Sequence, residues 1–412
     1  MIPARQLGIA AVPALLVGLA ACKFPELPPL EDDGGGTDAT PVACVDMGPD
    51  SPDPSCPPDR PLCVDGTCGG RCGSDADCSG RPAVQSVCHV SSGSCVACDE
   101  DDEQAQPATS EDDCTNASSS VCDSTSHTCR ACAEHAECYL GVCDAGRCAS
   151  ANEIIFMSAN GSDGANNCDN PAPAAGCLTL SFALGKVSTI RKFIAMEPSA
   201  TPYLARATAD RAEINGIMVR LIGYGAELRR SGIGDGEVIE VSGGASVVIE
   251  GLTIRSATGA GVGIGIKMSA SALDLFRVRI SANQYRGIEA TSGGTLHVRR
   301  SIISNNGGGG ILFDGTSFVL INNLIVGNGN MNTSAIGGLD LYASSTTTPS
   351  TFEFNTVAEN TASSGTPHGV RCNSVQTVAS RNNIVTSEAV RPHVVGGCVH
   401  QYTLFGRVWI SS

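Results

Sequence analysis

Between about Ile239 and Glu388 one short pattern returns with small variations, and it limits what this chain can fold into more than any other feature. Two apolar or β-branched residues, a polar turn carrying Asn, and then Gly followed by Ile, Leu or Val recur, which is the mark of a repeat architecture. Set in register, the copies read Leu252-Thr-Ile254, Val278-Arg-Ile280, Ser301-Ile-Ile303, Asn323-Leu-Ile325, Asn355-Thr-Val357 and Asn383-Ile-Val385. Each copy is one strand, with its first and third residues facing inward. Three residues after the last inward position stand Asn283, Asn306, Asn328 and Asn360, with Ala257 and Glu388 at the ends of the column. Asn suits a turn that stacks on itself: it tolerates the left-handed backbone region, and its amide both donates to and accepts from the Asn one layer away.

A second column follows each turn, at Gly265-Ile266, Gly287-Ile288, Gly310-Ile311, Gly338-Leu339 and Gly369-Val370, with Ile239 as the rung before. Spacings of roughly 22 to 31 residues fit one coil of a parallel β-helix with loops of variable size. The stretch is rich in Gly, Thr, Ser, Asn, Val and Ile, where a helical repeat needs Ala, Leu, Glu and Lys. The expected class is therefore all-β: a solenoid preceded by a small, loop-rich region.

These Gly-[Ile/Leu/Val] and Asn-x-[Ile/Val]-x-x-Asn columns resemble the right-handed parallel β-helix, or pectate-lyase-like, superfamily. Ile154-Ile-Phe-Met-Ser-Ala-Asn-Gly-Ser-Asp163, followed by Cys177-Leu-Thr-Leu-Ser-Phe-Ala-Leu184, resembles the N-terminal cap of its bacterial secreted members. The resemblance covers roughly residues 152 to 405. It implies the fold rather than one activity, since the superfamily holds lyases, hydrolases, epimerases and adhesins. A short capping helix is expected over Thr179 to Ser188, and strands over Phe193 to Met196 and Ile217 to Ile222. The pattern fades after Glu388, leaving the final strands and Trp409, or something else, to cover the last coil.

The rest of the chain reads as an anchor and a cysteine-rich stalk. Met1 to Ala21 has Arg5, an apolar run from Leu7 to Leu19 and then small residues, as an export signal does. Leu19-Ala20-Ala21-Cys22 resembles a bacterial lipobox, which implies a lipid on Cys22 and firm attachment to a membrane. Lys23 after that Cys resembles outer-membrane sorting, so the expected location is the outer membrane or surface of a Gram-negative bacterium. Residues 22 to 43 form a Pro, Gly and acid tether that cannot bury a core.

From 44 to 148 the cysteines divide into four units: Cys44, Cys56, Cys63, Cys68; Cys72, Cys78, Cys88, Cys95; Cys98, Cys114, Cys122, Cys129; and Cys132, Cys138, Cys143, Cys148. Cys95-x-x-Cys98 and Cys129-x-x-Cys132 have zinc-ligand spacing, with His89, His127 and His135 nearby. Both pairs fall at unit boundaries, however. Setting Cys22 aside from 21 cysteines leaves an even number, and the chain is expected to be exported, so disulfides are favoured. Their connectivity is not readable. Cys168 with Cys177, and Cys372 with Cys398, are expected to close two further loops. The acid runs Asp99 to Glu103 and Glu111 to Asp113 lack the order of a calcium loop, so Ca²⁺ is not the leading reading and no other cofactor is expected. The net charge of −16 resides mainly in this region, and nothing resembles a basic footprint for nucleic acid.

Chemistry must come from the outward columns. Beside the Gly-Ile column these read Glu240, Lys267, Glu289, Leu312, Asp340, Arg371. Arg277 and Arg300 fall in adjacent coils, with Arg279 expected on the face of Arg277. Arg277, Arg300 and Lys267 are candidate contacts for an anionic sugar chain. Arg279, Glu289 and Asp340 are the candidate catalytic groups, with Asp314 nearby and Asp274 the one acid near Arg279. Mutual pairing of charges on neighbouring strands is the stronger reading of these columns, and His297 reads as a surface-facing strand residue. The expected function is a lipid-anchored surface protein displaying a β-helix that binds polysaccharide or another surface protein. The alternative is a polysaccharide lyase or hydrolase; a protease-inhibitor or receptor-like role for the cysteine modules is a third reading, by analogy alone.

Overall fold

The computed structural model describes Cys56, 62–64, 67–70, Cys78, 87–89, 94–96, Cys114, 121–123, 125–126, 128–164, 167–172, 175–206, 211–230, 236–259, 262–330, 336–345, 347–362, 369–372, 378–387, 394–396 and 398–407. Cys22 with its leader and tether, the two acid runs, Glu388 and Trp409 lie outside these residues. Among the described residues no helix is long and apolar enough to cross a membrane.

From Ile154 onward the chain winds into a parallel β-helix with three sheet faces. The first carries Ala212–Asn215, Ile239–Ser242, 266–269, 286–291, Gly309–Gly315, Leu339–Ala343, Val370–Cys372 and Val394–Gly396. The second starts with Ile154–Met157, Phe193–Met196, Met218–Ile222 and Ser246–Glu250 and continues through 271–276 and 294–299 to Ser317–Ile321, Thr351–Glu353, Val378–Arg381 and Cys398–Gln401. The third runs from Tyr203–Leu204 to Leu404–Arg407. All of these pairings are parallel, as the spacing predicted.

The inward columns are buried throughout, from Leu252 and Ile254 to Asn383 and Val385, and Ile239, Ile266, Ile288, Ile311, Leu339 and Val370 stack in one core. The glycine preceding Ile266, Ile288, Ile311 and Leu339 is needed for close approach. A Cβ on Gly265, Gly287, Gly310 or Gly338 would lie 2.2–2.8 Å from the carbonyl oxygen of the glycine one coil on. The Asn column is a hydrogen-bonded ladder. The Nδ2 of Asn283, Asn306 and Asn328 each donates at 2.9 Å to the Oδ1 of the Asn one coil on, and the same oxygen also accepts that donor's backbone N–H. A second ladder, Asn323 to Asn355 to Asn383, runs beside it.

One expectation needs correcting. The left-handed backbone conformation falls not on these asparagines but one residue earlier, on Ser256, Ala282, Asn305, Gly327 and Glu359. The Asn side chains are thereby turned inward, where stacking rather than backbone tolerance selects them.

The capping helix is Leu180–Leu184, shorter than expected, with the Thr179 hydroxyl accepting from Phe182 N–H. Cys168 and Cys177 are bridged beneath it. In the cysteine-rich part each unit ends in an antiparallel hairpin that sets its third and fourth Cys opposite each other. The bridges skip that pairing. Cys78–Cys95, Cys114–Cys129 and Cys138–Cys148 join second to fourth, and Cys132–Cys143 joins first to third. Cys95, Cys129 and Cys132 are thus held in disulfides, so their CxxC spacing does not make a zinc site. The close sulfurs of Cys132, Cys138 and Cys148 belong to the same bridges. Cys372 is buried and disulfide-bonded; the side chain of its expected partner, Cys398, lies outside the described residues.

Candidate functional site

Two outward columns run along the second sheet. One reads Ile154, Phe193, Arg220, Val248, Asp274, His297, Val319 and Thr351; the other reads Phe156, Ala195, Ile222, Glu250, Phe276, Arg299, Ile321 and Glu353. Their burial decreases along the helix, with Arg220 and Val248 already half-buried. Ile154, Phe156, Phe193, Ile222 and Glu250 are buried although they point away from the helix core, whereas Arg299 is exposed and Phe276 half-buried.

The cover over the first rungs is the fourth cysteine unit. Its Val142 and Ala149 share an apolar cluster with Ile154, Phe156, Phe193 and Ile222, and charged groups surround that cluster. His135 Nδ1 accepts the Cys143 N–H at 2.9 Å, so the ring proton sits on Nε2, which donates to Glu250 Oε2 at 3.0 Å. Arg220 bridges Glu250 (2.5 Å) and Asp144 (3.2 Å), and Lys192 lies 3.5 Å from Asp144. Burial alone would raise the Glu250 carboxyl, but its bonds to His135 and Arg220 hold it below the usual range. Burial also pushes the phenol of Tyr224, packed against His135, upward.

A groove of about 1130 Å³ runs between the module, at Glu134, His135 and Asp144, and the β-helix, from Met196 and Pro198 past Arg220 and Val248 to Phe276, Arg277, Arg299 and Arg300. A further hollow of about 480 Å³, bounded by Phe276, Arg300, Asn322 and Phe354, extends it toward later coils. The Phe276 ring lies between two guanidinium groups, Arg277 at 5.2 Å and Arg300 at 5.7 Å. Arg299 donates to Asp274 at 2.6 Å. Burial opposes ionisation of Asp274, yet His297 and Arg299 hold its carboxyl below the ordinary range. Arg300 pairs with no carboxylate among the described residues, and Arg277 lies 3.9 Å from Glu134 and bonds the Tyr224 hydroxyl.

The rim of the groove is a backbone corner between the second and third sheets. Gly251, Arg277, Arg300, Asn322, Phe354, Asn382 and Tyr402 all have φ between 50° and 68°. Gly and Asn enter this region readily, whereas Arg, Phe and Tyr do so at a cost of about 1–2 kcal/mol each. Bulky residues held in such a conformation point to a use for their side chains. Here they carry cationic and flat apolar groups outward in register, and Phe354 and Tyr402 are exposed.

Arg277 and Arg300 are therefore brought together at the groove, one coil apart. The other sequence candidates are dispersed. Arg279 does not share the face of Arg277, because the left-handed corner at Arg277 turns the chain and puts Arg279 in the third sheet. Nor is Asp274 its partner, being bound to Arg299 in the second sheet. Glu240, Lys267, Glu289, Leu312, Asp340 and Arg371 stack in the expected order on the first sheet. Lys267 is bonded to Glu237 (3.1 Å), Glu289 to Arg286 (2.5 Å) and Asp340 to Arg371 (2.7 Å). The Leu312 rung separates Glu289 from Asp340, and Asp314 is exposed farther along its strand. Glu289 and Asp340 are thus each paired with a neighbouring arginine and stand two rungs apart.

The corner column escaped sequence reasoning, although a signal existed. Gly251, Asn322 and Asn382 each directly precede an inward residue of the repeat, and Arg277, Arg300 and Phe354 occupy the same place.

Fold and groove together define a right-handed parallel β-helix protein with a docked disulfide module. Residues 237–404 match the protein family described as the right handed beta helix region. The crystal structure of pectate lyase Pel9A is similar over 64% of this chain and 78% of its own length, at 15% sequence identity and a TM-score of 0.42. No curated protein matches the chain.

Proposed function

We propose that this chain is a binding protein of the bacterial envelope whose β-helix holds an acidic polysaccharide along the second sheet. The observation that carries the reading is the pair Arg277 and Arg300 about the Phe276 ring at the mouth of a 1130 Å³ groove. Guanidinium groups engage carboxylates or sulfates bidentately, and Phe276 and Phe354 offer apolar surface to sugar rings. Of the acids lining the groove, Asp274, Glu250 and Asp144 are already committed to Arg299, His297, His135, Arg220 and Lys192, Glu134 faces Arg277, and Glu197 is exposed at the far end of the groove. That favours binding over acid–base turnover.

The lipobox Leu19-Ala20-Ala21-Cys22 supports attachment through a lipid on Cys22, in the outer membrane or on the surface of a Gram-negative cell. A Cys22→Ala protein should then leave the membrane fraction, and retention there would remove the anchor from the reading.

The function test is binding and turnover of the protein on an array of acidic and neutral polysaccharides, with and without Ca²⁺. Retention of acidic polymers without new chain ends is the expected result. Arg300→Ala should weaken binding roughly ten- to a hundredfold, the loss of one charge-assisted contact of about 1.5–3 kcal/mol. Release of unsaturated or reducing ends would instead establish the lyase or hydrolase alternative. Absence of any polysaccharide binding would turn attention to protein partners.

A further inference from the structure

We infer that the corner between the second and third sheets is the track along which the glycan lies, and that it selects an extended, two-fold, β-linked acidic chain. This rests on the polysaccharide reading above and adds to it the path of the polymer and the class of its linkage.

Six residues form the corner in consecutive coils: Arg277, Arg300, Asn322, Phe354, Asn382 and Tyr402, all exposed and all left-handed. Backbone bonds fix their register. The corner N–H of each coil donates to the residue that ends the strand one coil on: Arg277 to Arg299, Arg300 to Ile321, Asn322 to Glu353, Phe354 to Arg381 and Asn382 to Gln401. Directly beneath runs the buried ladder Asn323, Asn355 and Asn383, joined by the Ser301 N–H, which donates to Asn323 Oδ1. Consecutive corner residues therefore stand about 4.8 Å apart on a braced frame, and a frame already ordered lowers the cost of binding.

Residue types alternate along that frame. From Arg300 onward the flat groups, Arg300, Phe354 and Tyr402, fall on every second rung, about 9.6 Å apart, and the shorter Asn322 and Asn382 stand between them. A guanidinium plane or an aromatic ring offers its face to the C–H side of a sugar, and an asparagine offers a donor and an acceptor to hydroxyls. The spacing is close to the length of a disaccharide in an extended two-fold chain, which turns the same ring face to a surface at every second sugar. A three-fold chain with axial linkages falls out of step with these rungs. The track also joins the groove without a break, since the hollow bounded by Asn322 and Phe354 shares Phe276, Arg299 and Arg300 with it. Charge is graded along the way. Arg277 and Arg300 meet acidic groups at the start, whereas Glu353, beside Phe354, faces Arg381 at 4.0 Å, so the later rungs act through ring faces and amides.

The test titrates the full chain with length-sorted oligomers of β-linked glucuronate and of α-linked galacturonate, which carry one acid per sugar on two-fold and three-fold chains. Affinity for the glucuronate series should climb with length until an oligomer spans Arg300 to Tyr402. Tyr402 is 87% exposed and has little packing to lose. Tyr402→Ala should remove the last step of the climb, roughly tenfold, and leave the shortest binding oligomers unaffected, while Tyr402→Phe keeps the step. The galacturonate series should level off earlier. Equal climbs in the two series, or a Tyr402→Ala protein that is unchanged at every length or weakened equally at all of them, overturns the corner track while the polysaccharide reading stands. Unchanged glucuronate affinity with loss of a dimer in sedimentation overturns it too, and gives the corner, with exposed Ile384 and Leu404 beside it, to a second copy. No binding of either series at any length removes the polysaccharide reading and the track together.

Discussion

Replacing Asn306 with Ala tests whether the buried amide ladder holds the coils together. Asn306 is fully buried. Its Oδ1 accepts from the backbone N–H (3.2 Å) and the Nδ2 (2.9 Å) of Asn283, and its Nδ2 donates to Ile280 O (3.1 Å) and Asn328 Oδ1 (2.9 Å). Asn306→Ala removes all four bonds. The Asn328 oxygen still accepts the backbone N–H of residue 306, but both Asn283 donors are left buried without their acceptor. Each such orphan costs about 1–3 kcal/mol, so the loss should be roughly 2–6 kcal/mol, a large part of the stability of an ordinary domain. Urea unfolding followed by circular dichroism reads the loss. Thr356→Ala, at an outward position on the third sheet, is the control and should stay within about 0.5 kcal/mol. If Asn306→Ala unfolds within about 1 kcal/mol of that control, stacking of the amides is incidental and the ladder argument fails.

Three further outcomes follow from the module and its seat. Glu250→Ala leaves His135 and Arg220 facing a buried gap, and breaking one side of such a network costs about 3–5 kcal/mol; a melting temperature equal to that of the unaltered chain would contradict the docking. A fragment beginning at residue 152 exposes Ile154, Phe156, Phe193 and Ile222, worth about 1.5–3 kcal/mol each as an upper estimate. It should therefore bind a hydrophobic dye and melt well below a fragment beginning at 128, and equal behaviour of the two would sink the claim. Bonds from Arg130 and the Ala133 N–H to Glu137, and from Arg147 to Glu153, lower both carboxyls to about 2. Lowered carboxyls stabilise the folded module above the ordinary carboxylate range, and that contribution is lost as pH falls from about 4.5 toward 2. Proteolytic susceptibility of the module should rise within that window, and a rise centred above pH 6 would point to other groups.

The strands were legible because Ile, Val and Leu at period two are buried for one reason only, and their return at coil spacing leaves few folds. The Asn column was legible for its amides but not for its backbone, since a stacked Asn and a left-handed Asn look alike in sequence. The dispersal of Arg279, Glu289 and Asp340 was hidden for a different reason. Alternation separates inside from outside, but a β-helix has three outsides, and only the corners at Arg277, Arg300 and Phe354 decide which face a residue joins. The contact of His135 with Glu250 spans 115 positions, and no local pattern records it.

Yet the seat of the module is written in the outward residues once the faces are known. Beyond the module these columns mix Asp274, His297, Arg299 and Glu353 with single apolar residues such as Val319 and Ile321; under the module Ile154, Phe156, Phe193 and Ile222 form one contiguous apolar patch. A contiguous apolar patch on an outer face marks a surface that something covers, so the sequence of the β-helix carries the footprint of a partner that lies in the same chain. The charges agree. Glu134 and Asp144 come from the acidic, cysteine-rich part of a chain of net charge −16, and they meet Arg277, Arg220 and Lys192 of the β-helix. A boundary drawn between residues 148 and 152 by composition therefore cuts through one packed unit. The fourth module belongs physically to the β-helix and forms one wall of the groove.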